Sequence, residues 1–97
     1  MKSLKNKVVL ITGGDTGIGR ACALLFAEQG AEIAICSQRQ DVLENTCEVV
    51  AQIGVRATYV SGDIGKSEDI RKIVDHAVDR LGGVDCLINN ASIVDQV

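Results

Sequence analysis

The glycines at 13, 14, 17 and 19 in the stretch VLITGGDTGIGR, residues 9–20, directly follow an apolar run. Loops that bring a backbone against a phosphate use such spacing, because glycine turns sharply and leaves room for the ligand. Three motif patterns can be laid on it. In the P-loop pattern G-x-x-x-x-G-K-[ST], Gly14 and Gly19 fall at the correct spacing. Arg20 and Ala21, however, stand where a lysine should reach the terminal phosphates and a hydroxyl should bind magnesium. In G-x-G-x-x-G, begun at Gly17, the third glycine falls on Cys22. The pattern T-G-x-x-x-G-x-G fits throughout, from Thr12 to Gly19. A glycine-rich strand-to-helix turn need not bind anything, so the rest of the chain must decide.

The other reactive side chains narrow the chemistry mainly by exclusion. Cys22, Cys36, Cys47 and Cys86 form no C-x-x-C pair and fall in segments of helical or strand pattern, so they are expected to be small buried hydrophobes. His76 lies between Asp75 and Asp79 with no second His or Cys nearby, which predicts an exposed helix residue and no metal site.

These residues must be positioned by regular elements, and the hydrophobic pattern supplies seven. Residues 7–12 read as a strand covered on both faces. Ile18, Ala21, Cys22, Leu25 and Phe26 then recur at helical spacing until Gly30, a left-handed stop. Residues 31–37 form the second strand, with Gln38-Arg39-Gln40-Asp41 as its exit. Leu43, Cys47, Val50 and Ile53 mark one face of a second helix ending at Gly54. Residues 55–61 give a third strand, leaving at Gly62-Asp63. Ser67 is expected to cap a third helix, with Glu68 and Asp69 in its first turn, and Ile70, Ile73, Val74, Ala77 and Leu81 to line its buried face. Gly82-Gly83 stops it before a fourth strand over residues 84–88. Strands alternating with helices predict an α/β fold: a doubly wound, Rossmann-like parallel sheet of four strands, as one partial domain over residues 1–97.

Composition agrees with a packed core: 46% hydrophobic and 24% charged residues are far from the signature of disorder. Ten Lys plus Arg against thirteen Asp plus Glu leave a net charge of −3 and no basic face for nucleic acid. Lys2, Lys5 and Lys7 read as a solvated lead-in to the first strand. No apolar segment reaches membrane-spanning length and no secretory signal is evident, so a cytoplasmic location is expected.

With the elements in place, Thr12 to Gly19 resembles the cofactor loop of the short-chain dehydrogenase/reductase family. Two further segments strengthen the resemblance. Asp63-Ile64, leaving the third strand, is similar to the family's adenine-contacting acid and its apolar neighbour. Asn89-Asn90-Ala91, after the fourth, is similar to the start of the family's N-N-A-G, with Ser92 in place of the glycine. The resemblance covers essentially the whole chain. It implies a nicotinamide dinucleotide held by Gly13, Asp15, Thr16, Gly17, Ile18, Gly19, Ser37, Arg39, Asp63, Ile64, Asn89 and Ala91. The second strand ends in Cys36-Ser37-Gln38-Arg39 with no acid to accept the ribose 2′-hydroxyl, and Arg39 can pair with a 2′-phosphate. NADP is therefore favoured over NAD, although Asp15 adds negative charge to the first loop.

The family's catalytic residues are a serine, a tyrosine with a lysine four positions later, and an asparagine, all beyond the N-N-A-G loop. Tyr59, the only tyrosine, has Asp63 at that offset, so no catalytic residue is assigned. The expected function is the NAD(P)-binding N-terminal portion of an oxidoreductase exchanging hydride between a nicotinamide and an alcohol or carbonyl substrate. The alternative is a nucleotide-binding or self-associating module without turnover. An unpaired fourth strand predicts self-association.

Overall fold

In the computed structural model, which describes residues 3–14 and 17–90, the seven expected elements form in the expected order. They are β1 (Val8–Thr12), α1 (Gly17–Glu28), β2 (Glu32–Ser37), α2 (Gln40–Ala51), β3 (Ala57–Ser61), α3 (Ser67–Leu81) and β4 (Cys86–Asn89). The strands make one parallel sheet in the order β3-β2-β1-β4. The third and fourth strands start two residues later than their apolar runs, because Val55-Arg56 and Val84-Asp85 belong to the connections.

Alternation along β1 and β2 divides the core. Val9, Ile11, Ile33 and Ile35 face α1 and α2, meeting Ala23, Ala27, Leu43 and Val50. Val8, Leu10, Ala34 and Cys36 face α3, meeting Ile73, Ala77 and Leu81. Successive side chains of a strand point to opposite faces, so one run of apolar residues serves both layers. β1 is buried along its whole length.

The helix faces depart from the sequence expectation in an informative way. On α1 the buried residues are Gly19, Ala23 and Ala27, while Cys22 and Phe26 pack at the margin. Ile18 and Leu25 are 72% and 61% exposed, and Ala21 is exposed as well. Small residues let the helix axis approach the sheet, and the bulky ones flank the contact, so reading the large apolar residues alone rotates the face. On α2 the buried set is Leu43, Thr46 and Val50, with Cys47 and Ile53 partly buried beside it. On α3, Ile73, Ala77 and Leu81 are buried, but Ile70 and Val74 are 45% and 40% exposed. They line an apolar groove of about 210 Å³ with Leu10, Ile64 and Leu87, on the side of the sheet that α3 only partly covers.

Three local expectations are corrected. The cap position of α3 is Lys66 rather than Ser67, with no side-chain capping bond; Glu68 and Asp69 do occupy the first turn. Cys86 is exposed because β4 lies at the sheet edge, whereas Cys36 is buried and Cys22 and Cys47 are partly so. His76 is partly buried, its Nε2 being 2.7 Å from Thr58 Oγ1, which ties α3 to β3. Gly30 and Gly82 stop α1 and α3 in the left-handed region, at φ 95° and 89°. Among the described residues no helix is long and apolar enough to cross a membrane, and no cluster of three or more potential metal ligands occurs.

Two outcomes follow from this packing. Thr46 Oγ1 is buried with no hydrogen-bond partner among the described residues. Thr46→Val should therefore raise stability by about 1 kcal/mol in urea denaturation, since an unsatisfied buried hydroxyl is removed without changing shape. Burial pushes the His76 imidazole below its usual pKa, Arg80 and Lys72 acting in the same direction and Asp79 against them. The unfolded chain then takes up the proton first, so the contribution of neutral His76 is present above about pH 6.5 and is lost as pH falls through the lower folded value. Relative to His76→Gln, the unmodified chain should lose urea stability across that acid window and match its pH slope above it.

Candidate functional site

The carboxyl ends of all four parallel strands lie on one side of the sheet, where open α/β sheets bind ligands, and the polar candidates leave from those ends. β1 pairs with β2 on one side and with β4 on the other, so consecutive connections diverge here and open a crevice. Thr12 and Asn89 face each other across it in the β1–β4 register.

The first loop is built by hydrogen bonds that turn the chain at once. The N–H groups of Gly13 and Gly14 both donate to the Cys36 carbonyl, at 2.8 and 3.3 Å, carrying the loop over the end of β2. Gly19 sits where α1 crosses beneath it. A Cβ there would overlap the Gly13 carbonyl oxygen and come within 2.7 Å of Asn90 Nδ2, so only glycine allows the helix to start this close to the loop. Gly17, at φ 40°, has nothing within 4 Å of a notional Cβ among the described residues, which leave the first turn of α1 open. That turn holds no acid, and its N–H groups have no earlier helical carbonyl to bond. Ile18 stands exposed beside it. Asp15, Thr16 and Ala91 lie outside the described residues.

Thr12 joins the two sides of the crevice. Its hydroxyl donates to Asn89 Oδ1 at 3.0 Å, with the Ile88 carbonyl at 3.4 Å, and accepts from the Asn90 N–H at 3.0 Å. Asn90 Nδ2 donates to the Gly13 carbonyl at 3.3 Å, the same oxygen that excludes a side chain at 19. Asn90 thus links the β4 exit to the glycine loop. Asn90 stands within the N-N-A motif with no role assigned from sequence, because a side-chain bond to a loop carbonyl has no signature in residue type.

At the end of β2, Ser37 Oγ accepts the Arg39 N–H at 2.9 Å, and the Ser37 carbonyl accepts the Gly62 N–H at 2.8 Å. Arg39 occupies the cap position of α2 and is exposed. At the end of β3, Asp63 Oδ1 accepts the Gly65 N–H at 2.8 Å while the Asp63 N–H donates to Asp69 Oδ2 at 2.9 Å. Asp63 and Asp69 share a cleft of about 290 Å³ with Gln38, Lys66 and Lys72. Asp69, read from sequence only as a helix-terminal acid, is therefore part of the loop that presents Asp63.

The clasp at Thr12 has a measurable weight. Thr12→Val keeps the shape but leaves the Asn90 N–H without that acceptor, so stability should fall by about 1–3 kcal/mol and the Asn90 amide should lose exchange protection. Gly19→Ala should destabilise comparably, by about 1–3 kcal/mol, because the loop or helix must shift to admit the methyl group. Denaturant unfolding with amide exchange distinguishes the two, as only the first removes the acceptor of the Asn90 N–H.

The family model for short chain dehydrogenase matches residues 7–97. General stress protein 39 of Bacillus subtilis is 46% identical over 89 residues, which cover 91% of this chain and 31% of that protein. The short-chain dehydrogenase/reductase homolog YusS of the same organism is 38% identical over 93 residues, covering 95% of this chain and 85% of YusS. The crystal structure of NAD+-bound xylitol dehydrogenase superposes with a TM-score of 0.91 at 36% identity, over 94% of this chain and 35% of the other. The chain thus spans about a third of the length of General stress protein 39 and of that xylitol dehydrogenase. With the motif loop, the strand order and these likenesses in agreement, the chain belongs to the short-chain dehydrogenase/reductase family.

Proposed function

We propose that the chain binds the adenosine and pyrophosphate parts of a nicotinamide dinucleotide, NADP in preference to NAD, as the cofactor-holding portion of a cytoplasmic oxidoreductase. The observation that supports this most directly is the close approach of α1 to the Gly13 carbonyl at Gly19, which leaves an open first turn facing a crevice between strand ends. The backbone there suits a pyrophosphate: Gly13, Gly17 and Gly19 bring it near, and the helix N-terminus supplies positive charge. Ile18 would lie against the cofactor. Asp15, Thr16 and Ala91 are assigned by resemblance alone.

Ser37 and Arg39 stand where the adenosine ribose would meet the end of β2. Ser37 fixes the Arg39 backbone through its hydroxyl, and the guanidinium can meet a 2′-phosphate with paired donors. Asp63 and Ile64 would contact the adenine, and Asn89 the ribose beside it. When bound, the nicotinamide accepts or supplies the hydride, and the whole protein's substrate would be an alcohol or carbonyl. Tyr59 lies inside β3 and is not assigned a proton-transfer role.

A second reading, self-association of a module without turnover, is favoured by one observation. β4 has no strand on its outer side among the described residues, and Leu87 is 58% exposed there. A concentration-independent monomer in sedimentation equilibrium would sink it. The cofactor reading predicts that the chain binds NADPH at least about tenfold more tightly than NADH, and that Arg39→Ala removes most of the difference while leaving NADH unchanged. Calorimetric titration decides: failure to bind either nucleotide would overturn the reading, and equal binding would overturn the preference.

A further inference from the structure

We propose that Asp69 is a positioning residue for recognition of the adenine base, acting through the backbone of Asp63. The proposal rests on the reading of Asp63 and Ile64 as the adenine contact and adds the group that holds them in place. Asp69 Oδ2 accepts the Asp63 N–H at 2.9 Å from the first turn of α3. Asp63 then closes its own loop: Oδ1 accepts the Gly65 N–H at 2.8 Å and its carbonyl accepts the Lys66 N–H at 3.0 Å. The Lys66 carbonyl in turn accepts the N–H groups of Asp69 and Ile70, both at 3.0 Å, which returns the chain of bonds to the helix.

This arrangement uses up most of the polar groups of the loop. Among the described residues, the Asp63 N–H and Oδ1 are both engaged, whereas Asp63 Oδ2 and the Ile64 N–H have no partner. An acceptor beside a donor is the complement of adenine, whose 6-amino group donates and whose N1 accepts. Hypoxanthine carries the reverse pair, an oxygen at C6 and a proton on N1, so the same loop would set acceptor against acceptor and donor against donor. Without Asp69 the Asp63 N–H becomes a second donor on the loop, and the carboxylate loses the fixed backbone that aims it. Glu68, the neighbouring acid of the same turn, is exposed and shares no hydrogen bond with Asp63.

The test uses the full chain titrated with NADPH and with its hypoxanthine analogue. The unmodified chain should favour the adenine form by at least about tenfold, the worth of a hydrogen bond to a charged acceptor. Asp69→Ala should reduce that preference to about twofold or less, Asp69→Asn, which keeps an acceptor oxygen, should restore most of it, and Glu68→Ala should leave it unchanged. Preference retained in Asp69→Ala would overturn the proposal alone. Absence of preference in the unmodified chain would overturn the adenine contact and the proposal with it, and absence of any binding would overturn the cofactor reading as well. Should Asp69→Ala fail to fold, amide exchange in the unmodified chain decides. Slow exchange at Asp63 with fast exchange at Ile64, the latter slowing on addition of NADPH, supports the proposal; equally fast exchange at both overturns it.

Discussion

Parallel strands have no tight turn to set their relative height, so β1 and β4, brought together from opposite ends of the chain, depend on side chains for their alignment. Two residues supply it. At the lower end Asp85 pairs with Val8 through both its backbone N–H and its carboxylate, each at 2.8 Å. At the upper end Thr12 spans Asn89 and Asn90. The three ladder pairs between these clamps carry little that specifies register, because Cys86, Leu87 and Ile88 are exposed or only partly buried. Slippage by one residue would move Asn90 away from the Gly13 carbonyl and with it the support of the glycine loop. The alignment of β4 beside β1 is thus set by the Asp85 carboxylate, a hydroxyl and two asparagines rather than by the core.

The core does other work. Two helices cover one face of the sheet and one covers part of the other. α1 approaches closely because its contact residues are Gly19, Ala23 and Ala27, and the same closeness that packs the core brings the helix N-terminus under the loop. Packing and ligand geometry are therefore one requirement at Gly19. At Gly14 the requirement is similar, since a Cβ there would meet the Ile35 side chain at 2.6 Å.

Element order, sheet type and the glycine loop were legible because each depends on local pattern: apolar runs, helical spacing and glycine placement. The family resemblance rests on Thr12 to Gly19, Asp63-Ile64 and Asn89-Asn90-Ala91, and the described residues of all three lie at one end of the sheet. What escaped depends on neighbours distant in sequence. The buried face of α1 follows from how near the sheet lies, which small residues determine and large ones conceal. His76 meets Thr58 only because α3 crosses β3. Ser67 looked like a cap, but Lys66 holds that position because Asp63 had already begun the turn that leads into the helix. Asn90 and Asp69 act through single bonds to backbone groups, which leave no trace in a pattern of residue types.

The partial cover over α3 has an energetic meaning. Ile70 and Val74 face an open groove, and the helix is held chiefly by Ile73, Ala77 and Leu81 on one side and the His76–Thr58 contact on the other. A helix with fewer buried contacts opens locally at lower cost than the sheet it rests on. Under the adenine reading, this same helix carries the carboxylate that orders the Asp63 loop. A nucleotide that engages the ordered loop binds the closed form and not the open one, so occupancy and the closing of α3 are linked by mass action. Under that reading, a bound nucleotide would stabilise α3 against local opening as well as fill the crevice.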